Sequence, residues 1–163
     1  MKSIFKIVIL VLLISKNTAA QTPSQKIPAF TFLKLDNSLF SNKDLESRKM
    51  LFFVFFDSEC EHCQHAVKEI DQHYNGYKKT AIYLISADSP EKINLFMQKF
   101  GRNLAGKNNV TLLQDFNNEF ITKFQPRKYP SLFLYSAKKE LILYDDNELN
   151  LSRFLQQIST RLK

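Results

Sequence analysis

Cys60 and Cys63 are the only two cysteines in the chain. They stand in the run Asp57-Ser58-Glu59-Cys60-Glu61-His62-Cys63, a spacing short enough for one disulfide to join them. Three chemistries suit such a pair. Structural zinc wants four ligands, commonly two CxxC pairs; His62 and His65 could add nitrogens, but His62 lies between the cysteines and there is no second pair. A purely structural disulfide would close so small a loop that it removes little chain entropy. Dithiol–disulfide exchange suits the pair best. The Cys60 thiolate attacks a partner disulfide, Cys63 resolves the mixed disulfide, and no metal or organic cofactor is required.

The neighbours of Cys60 pull in opposite directions. Glu59 and Glu61 flank it with negative charge and disfavour its thiolate, whereas a protonated His62 favours it. About 30 mV of potential is only about 1.4 kcal/mol, so these residues leave open whether the pair oxidises or reduces its partners.

Such chemistry needs a rigid mount. Met50 to Phe56 is an unbroken apolar, aromatic-rich run, the pattern of a strand buried on both faces. After the Asp57-Ser58-Glu59 turn, Ala66, Val67 and Ile70 recur at helical spacing, predicting a helix to about Tyr74 with Asn75-Gly76 as an αL stop. Cys60 then occupies a helix N-terminus, where free N–H groups and the helix dipole favour a thiolate. Phe30 to Leu35 and Leu39-Phe40 predict a strand and its returning edge, and the mostly polar Asn42 to Arg48 a short helical turn. Ala81 to Ile85 is a second buried strand. Asp88-Ser89-Pro90-Glu91 opens a helix with the stripe Ile93, Phe96, Met97 and Phe100, closed by Gly101. Arg102 to Asn109 is a polar loop. Val110 to Leu113 is a strand, and Asp115 caps a helix whose expected inner face is Phe116, Phe120, Ile121 and Phe124. Ser131 to Tyr135 and Leu141 to Tyr144 predict a hairpin. Asn147 starts a last helix with Leu151, Phe154, Leu155, Ile158 and Leu162 on one face. Strands alternating with helices give an α/β class with a central mixed sheet flanked by helices.

Around this domain, expected over residues 29–163, the chain carries an export signature. Lys2 and Lys6, the apolar Ile7 to Ile14 and Thr18-Ala19-Ala20 read as a signal peptide over residues 1–20. The apolar stretch is short for a membrane span, which needs about 20 residues, although an uncleaved signal would act as an anchor. Residues 21–28 form a polar leader. Of the formal charge of +7, Lys2, Lys6 and Lys16 belong to the signal segment. The remaining lysines are scattered, as on Lys78-Lys79 and Lys138-Lys139, which speaks for a solvated surface and against nucleic acid as a partner. Hydrophobic content of 44% excludes a disordered chain. An exported protein that spends its only cysteines on one local pair uses them for catalysis rather than reinforcement.

The order of elements resembles the thioredoxin fold, and more closely exported thioredoxin-like proteins of the TlpA/ResA type, over about Ile27 to Leu162. Ile27-Pro28-Ala29-Phe30-Thr31-Phe32 is similar to that family's N-terminal β extension, Phe55 to Cys63 to its Phe-rich strand and CxxC, and Tyr129-Pro130-Ser131-Leu132-Phe133-Leu134 to its cis-proline loop and strand. The resemblance implies that the Tyr129–Pro130 bond is cis, that Pro130 lies against the cysteine pair, and that Tyr129 and Pro130 contact an extended protein substrate as an added strand. It also implies a periplasmic reductant of disulfide-bearing proteins, fed by a membrane electron donor.

The departures are specific. Glu59 replaces the usual tryptophan. Val54 and Ala66 lie where relatives place buried acids, so a proton acceptor for Cys63 is missing from the sequence. Two other activities belong to related folds. Peroxiredoxins place a threonine where Asp57 stands. Copper-handling proteins use CxxxC with a distant C-terminal histidine, whereas here the spacing is CxxC and no histidine follows His73. His65 and His73 are expected to face solvent, and Arg127 and Lys128 to form a solvated loop.

Overall fold

A computed structural model describes residues 22–161; the segment read as a signal peptide, and Leu162, lie outside them. Among the described residues, seven strands form one mixed sheet: β1 (Thr31–Lys34), β2 (Leu39–Ser41), β3 (Leu51–Phe55), β4 (Ala81–Ser86), β5 (Val110–Gln114), β6 (Ser131–Tyr135) and β7 (Leu141–Asp145), in the order β2-β1-β5-β4-β3-β6-β7. β3, β4 and β5 run parallel, while β1 and β2 on one side and β6 and β7 on the other are antiparallel. The helices are α1 (Glu61–Gln72), α2 (Tyr74–Tyr77), α3 (Pro90–Phe100), α4 (Glu119–Phe124) and α5 (Leu151–Arg161). No helix among the described residues is long and apolar enough to cross a membrane.

The unbroken apolar run of β3 is explained by its central place. Phe52, Val54 and Phe56 point into one core with Val67 and Ile70 of α1, Ile93 and Phe96 of α3, and Phe154 and Ile158 of α5. Leu51, Phe53 and Phe55 point into the other, with Phe30, Phe32, Phe40, Phe120 and Phe124. Alternate residues of a strand face opposite sides, so a strand covered on both faces has no polar position to offer. The second core is largely a stack of rings. Phe120 lies 4.2 Å from both Phe55 and Phe124, and Phe30 lies 4.5 Å from Phe32.

Four local expectations need correction. Asn42 to Arg48 forms turns rather than a helix. Glu46 N–H donates to the Tyr83 hydroxyl and Asn42 C=O accepts from Lys139 Nζ, so distant side chains take backbone groups a helix here would have used, while the Asn42 side chain ties the segment to Phe30 N–H and Pro28 C=O. The CxxC helix stops at Gln72, and Gly76 sits inside the separate α2 rather than in an αL stop. A Cβ at Gly76 would stand 2.5 Å from Leu155 Cδ2, so glycine here permits α5 to approach. The inner face of α4 is only Phe120 and Phe124; Phe116 precedes the helix, and both it and Ile121 are exposed. Asp115 still caps α4, its carboxylate accepting from Glu119 and Phe120 N–H, each at 2.8 Å. Finally, Asn147 leads first into a 3-10 turn, Glu148–Asn150, and only then into α5.

Candidate active site

Cys60 is the N-cap of α1. Its backbone is extended (φ −77°, ψ 116°), and its Sγ accepts the Cys63 N–H at 3.3 Å. Its carbonyl starts the helix by accepting from Cys63 and Gln64 N–H, each at 3.1 Å. The sulfur thus stands where a serine or aspartate oxygen usually caps a helix, and negative charge there gains from the helix dipole. Cys60 is half-buried and Cys63 fully buried, both as free thiols. Burial pushes the Cys63 thiol far above its ordinary range, with the hydrogen bond to Cys60 and the charges of Cys60 and Asp57 adding to it. One sulfur is therefore reachable, and its partner is held protonated beneath it.

The turn before Cys60 is fixed from several directions. Asp57 Oδ1 accepts Glu59 N–H at 2.8 Å, and Asp57 C=O accepts Cys60 N–H at 3.3 Å. Asp88, at the end of the loop leaving β4, accepts Ser58 N–H at 2.9 Å and the Ser86 hydroxyl at 3.1 Å. Burial acts to raise the Asp88 carboxyl, but the hydrogen bonds from Ser58 and Ser86 outweigh it and leave its pKa lowered. In the sequence, Asp88 marks only a helix start. Its capping pattern was visible, but a contact thirty residues upstream leaves no local signal.

The residues expected to tune the thiolate divide into three cases. Glu59 is exposed and pairs with Lys92 at 2.8 Å, so its charge is partly answered. Glu61 is exposed in the first turn of α1. His62 is exposed and meets Glu148, its Nδ1 lying 2.7 Å from Oε1 across 86 residues of chain. Glu148 was not singled out from the sequence. Two shallow clefts flank the motif. One, of about 370 Å³, is lined by Ser58, Glu59, Gln64, Lys92, Leu95 and Phe100. The other, of about 390 Å³, is lined by His65, Glu69, Glu148, Leu149, Leu151 and Ser152.

Across the sheet, the Tyr129–Pro130 bond is cis. Phe55 pairs with Ser131, so Pro130, one residue earlier, is at the C-terminal end of β3, from which the turn leads to Cys60. Tyr129 is half-buried against Phe55, with ring centroids 4.8 Å apart. Burial, with the negative charge of Asp57 adding to it, pushes its phenol up to about 12. Arg127 and Lys128 are exposed but not free of partners. Arg127 Nε bonds Asp146 at 2.8 Å and its guanidinium lies 4.9 Å over the Tyr144 ring, while Lys128 Nζ is 4.0 Å from Asp146. His65 and His73 are exposed, and His73 pairs with Glu69. Among the described residues, no group of three or more His, Cys, Asp and Glu side chains is placed to hold a metal ion.

Comparison with known proteins bears on the family and the fold. The model of the AhpC/TSA family matches residues 23–144. No curated protein matches the sequence. Among solved structures, the thioredoxin domain of a thiol-disulfide oxidoreductase from Bacteroides vulgatus is similar, with 18% identity and a TM-score of 0.66 over 85% of this chain and 98% of that one. A thiol-disulfide oxidoreductase from Bacteroides fragilis is similar at 20% identity, with a TM-score of 0.65 over 82% and 98% of the two chains. A thioredoxin-like protein from Aeropyrum pernix is similar at 13% identity, with a TM-score of 0.64 over 79% and 89%. At these identities the likeness is one of fold, and the fold is thioredoxin-like, as the order of strands and helices led one to expect.

Proposed function

We propose that this chain, which belongs to the AhpC/TSA family, is a thiol–disulfide oxidoreductase of the TlpA/ResA type, exported to the periplasm and acting as a reductant. The observation that carries the reading is the asymmetry of the cysteine pair. Cys60 caps α1 and is partly open to solvent, while Cys63 lies buried behind it with its N–H on the Cys60 sulfur. That arrangement suits one nucleophile and one resolving thiol. Cys60 attacks a disulfide of a protein substrate, and Cys63 then displaces the substrate to leave Cys60–Cys63 oxidised. Tyr129 and Pro130, at the end of β3, form the ledge on which an extended substrate segment lies. Residues 1–20 act as the signal, 21–28 as a leader and 29–163 as the catalytic domain, and a membrane donor returns electrons to the pair.

Asp57 favours exchange over peroxide reduction. A peroxidase needs a hydroxyl donor at that place, whereas aspartate brings acceptor oxygens, one of which takes Glu59 N–H. The test is trapping of covalent partners by a Cys63→Ser variant in the exporting cell, alongside insulin reduction and peroxide consumption by the purified protein. Disulfide-linked protein partners and insulin turnover support the reading. Peroxide consumption without insulin turnover overturns it.

A further inference from the structure

The loop from Gln125 to Pro130 carries the proposed substrate ledge, and side chains from β6, β7 and the residue after β7 brace it. Arg127 N–H donates to the Tyr144 hydroxyl at 3.0 Å. The Ser131 hydroxyl donates to Lys128 C=O at 2.6 Å and lies 3.0 Å from the Tyr144 hydroxyl. Asp146 holds Arg127 Nε at 2.8 Å and Lys128 Nζ at 4.0 Å. Ser131 is fully buried at the start of β6. The Tyr144 ring is held on β7 by Phe133, with centroids 4.7 Å apart, and by the Arg127 guanidinium at 4.9 Å.

The donors and acceptors give these bonds a direction. A carbonyl only accepts, so the single Ser131 hydroxyl proton is spent on Lys128. The Tyr144 oxygen takes Arg127 N–H through a lone pair, and its own proton goes to Ser131 Oγ; Asp146 Oδ2, at 3.4 Å, is the longer alternative. One unbroken chain results, from Arg127 N–H through the Tyr144 and Ser131 hydroxyls to Lys128 C=O. It closes on the two residues that precede Tyr129. Tyr129 itself is left out of it. Neither its N–H nor its C=O has a hydrogen-bond partner among the described residues, while its ring packs on Phe55. The backbone on either side is therefore fixed, and one open donor and acceptor remain. A segment that adds as a strand takes its affinity from such main-chain bonds, and a backbone already held in place costs less to order on binding.

We propose that Tyr144 and Ser131 are positioning residues for protein substrates, their hydroxyls holding Arg127 and Lys128 so that the Tyr129 backbone stays open to an extended, disulfide-bearing segment. This deepens the thiol-exchange reading and rests on it. Neither hydroxyl is hydrogen-bonded to Cys60 or Cys63. They govern which disulfides Cys60 meets well, and the attack by the sulfur itself does not depend on them.

The experiment has two arms. Rate constants for attack by the reduced protein are measured on insulin and on a small aromatic disulfide that needs only the sulfur, in the wild type, Tyr144→Phe and Ser131→Ala. Tyr144→Phe keeps the ring on Phe133 and removes only the hydroxyl. It should slow the insulin reaction about tenfold, the scale of one buried donor left without its acceptor, and leave the small disulfide unchanged. Ser131→Ala should shift the same ratio in the same direction. In parallel, amide hydrogen exchange at Arg127 should be protected in the wild type and about tenfold faster in Tyr144→Phe. An insulin rate unchanged in both variants, an equal loss on both disulfides, or an unprotected Arg127 amide in the wild type overturns the proposal. A wild type that attacks the small disulfide but not insulin overturns the proposed function and this inference with it. The first three outcomes leave a wild type that still reduces insulin, so the two failures are distinct.

Discussion

Ser58 donates its backbone N–H to Asp88 Oδ2 at 2.9 Å, tying the turn in front of Cys60 to the loop between β4 and α3. Because Asp88 also accepts the Ser86 hydroxyl and Ser86 is fully buried, the turn is pinned to the middle of the sheet. Asp88→Ala would leave Ser58 N–H without its acceptor, at a cost of about 1 kcal/mol. It should also loosen the turn that sets the Cys60 cap. The expected result is a small fall in thermal stability together with a slower attack by Cys60 on a model disulfide, read by denaturant melts and stopped-flow absorbance.

The two thiols should react in a fixed order. Cys63 is fully buried and its thiol is pushed up by that burial, while Cys60 is partly exposed, and access and thiolate content both govern alkylation. Under limiting iodoacetamide near neutral pH, peptide mass spectrometry should find label on Cys60 before Cys63. Cys60→Ser should leave a protein that labels slowly until denatured.

Acid should destabilise the fold in a defined window. Asp88 and Glu148 are both held below their ordinary values of 3.8 and 4.5. A lowered folded-state pKa gives stability that is complete above the unfolded value and is lost as pH falls through the folded one. Asp115 acts in the opposite sense. Its buried carboxyl is raised, so its contribution is present below the unfolded value and is lost as pH rises through the folded one. Urea midpoints measured from pH 6 down to pH 3 should decline, with the steepest fall below about pH 4.5. In Asp88→Asn the decline should be shallower; an identical slope would remove Asp88 from the account.

Phe116 and Phe120, four residues apart, should behave very differently when truncated. Phe120 is fully buried, stacked at 4.2 Å on Phe55 and on Phe124, and Phe120→Ala should cost about 3–5 kcal/mol. Phe116 is 42% exposed, and Phe116→Ala should stay within about 0.5 kcal/mol of the parent. Chemical denaturation of the two variants settles the comparison. A large loss at Phe116 would mean that its exposed face packs on something in solution.

What could be read from the sequence was what a short stretch encodes by itself. The β3 run announced its two buried faces because a strand alternates sides and this one has no polar side. The place of Cys60 followed from strand, turn and helix in immediate succession, and Ser89-Pro90 showed its cap for the same reason. The inner face of α4 was misread because Phe116 and Ile121 fit the apolar pattern, and the pattern does not say where the helix starts. The left-handed Asn118 (φ 54°) places Phe116 before the first turn. The contacts that complete the site belong to topology alone. Asp88 reaches Ser58 because β3 and β4 lie side by side and parallel, so that the ends of both strands meet. Glu148 reaches His62 because β7 returns the chain to the edge of the sheet and the 3-10 turn then packs on α1. Neither acid differs in local sequence from an ordinary surface carboxylate. Their roles arise only when folding brings a donor from far along the chain within hydrogen-bonding distance.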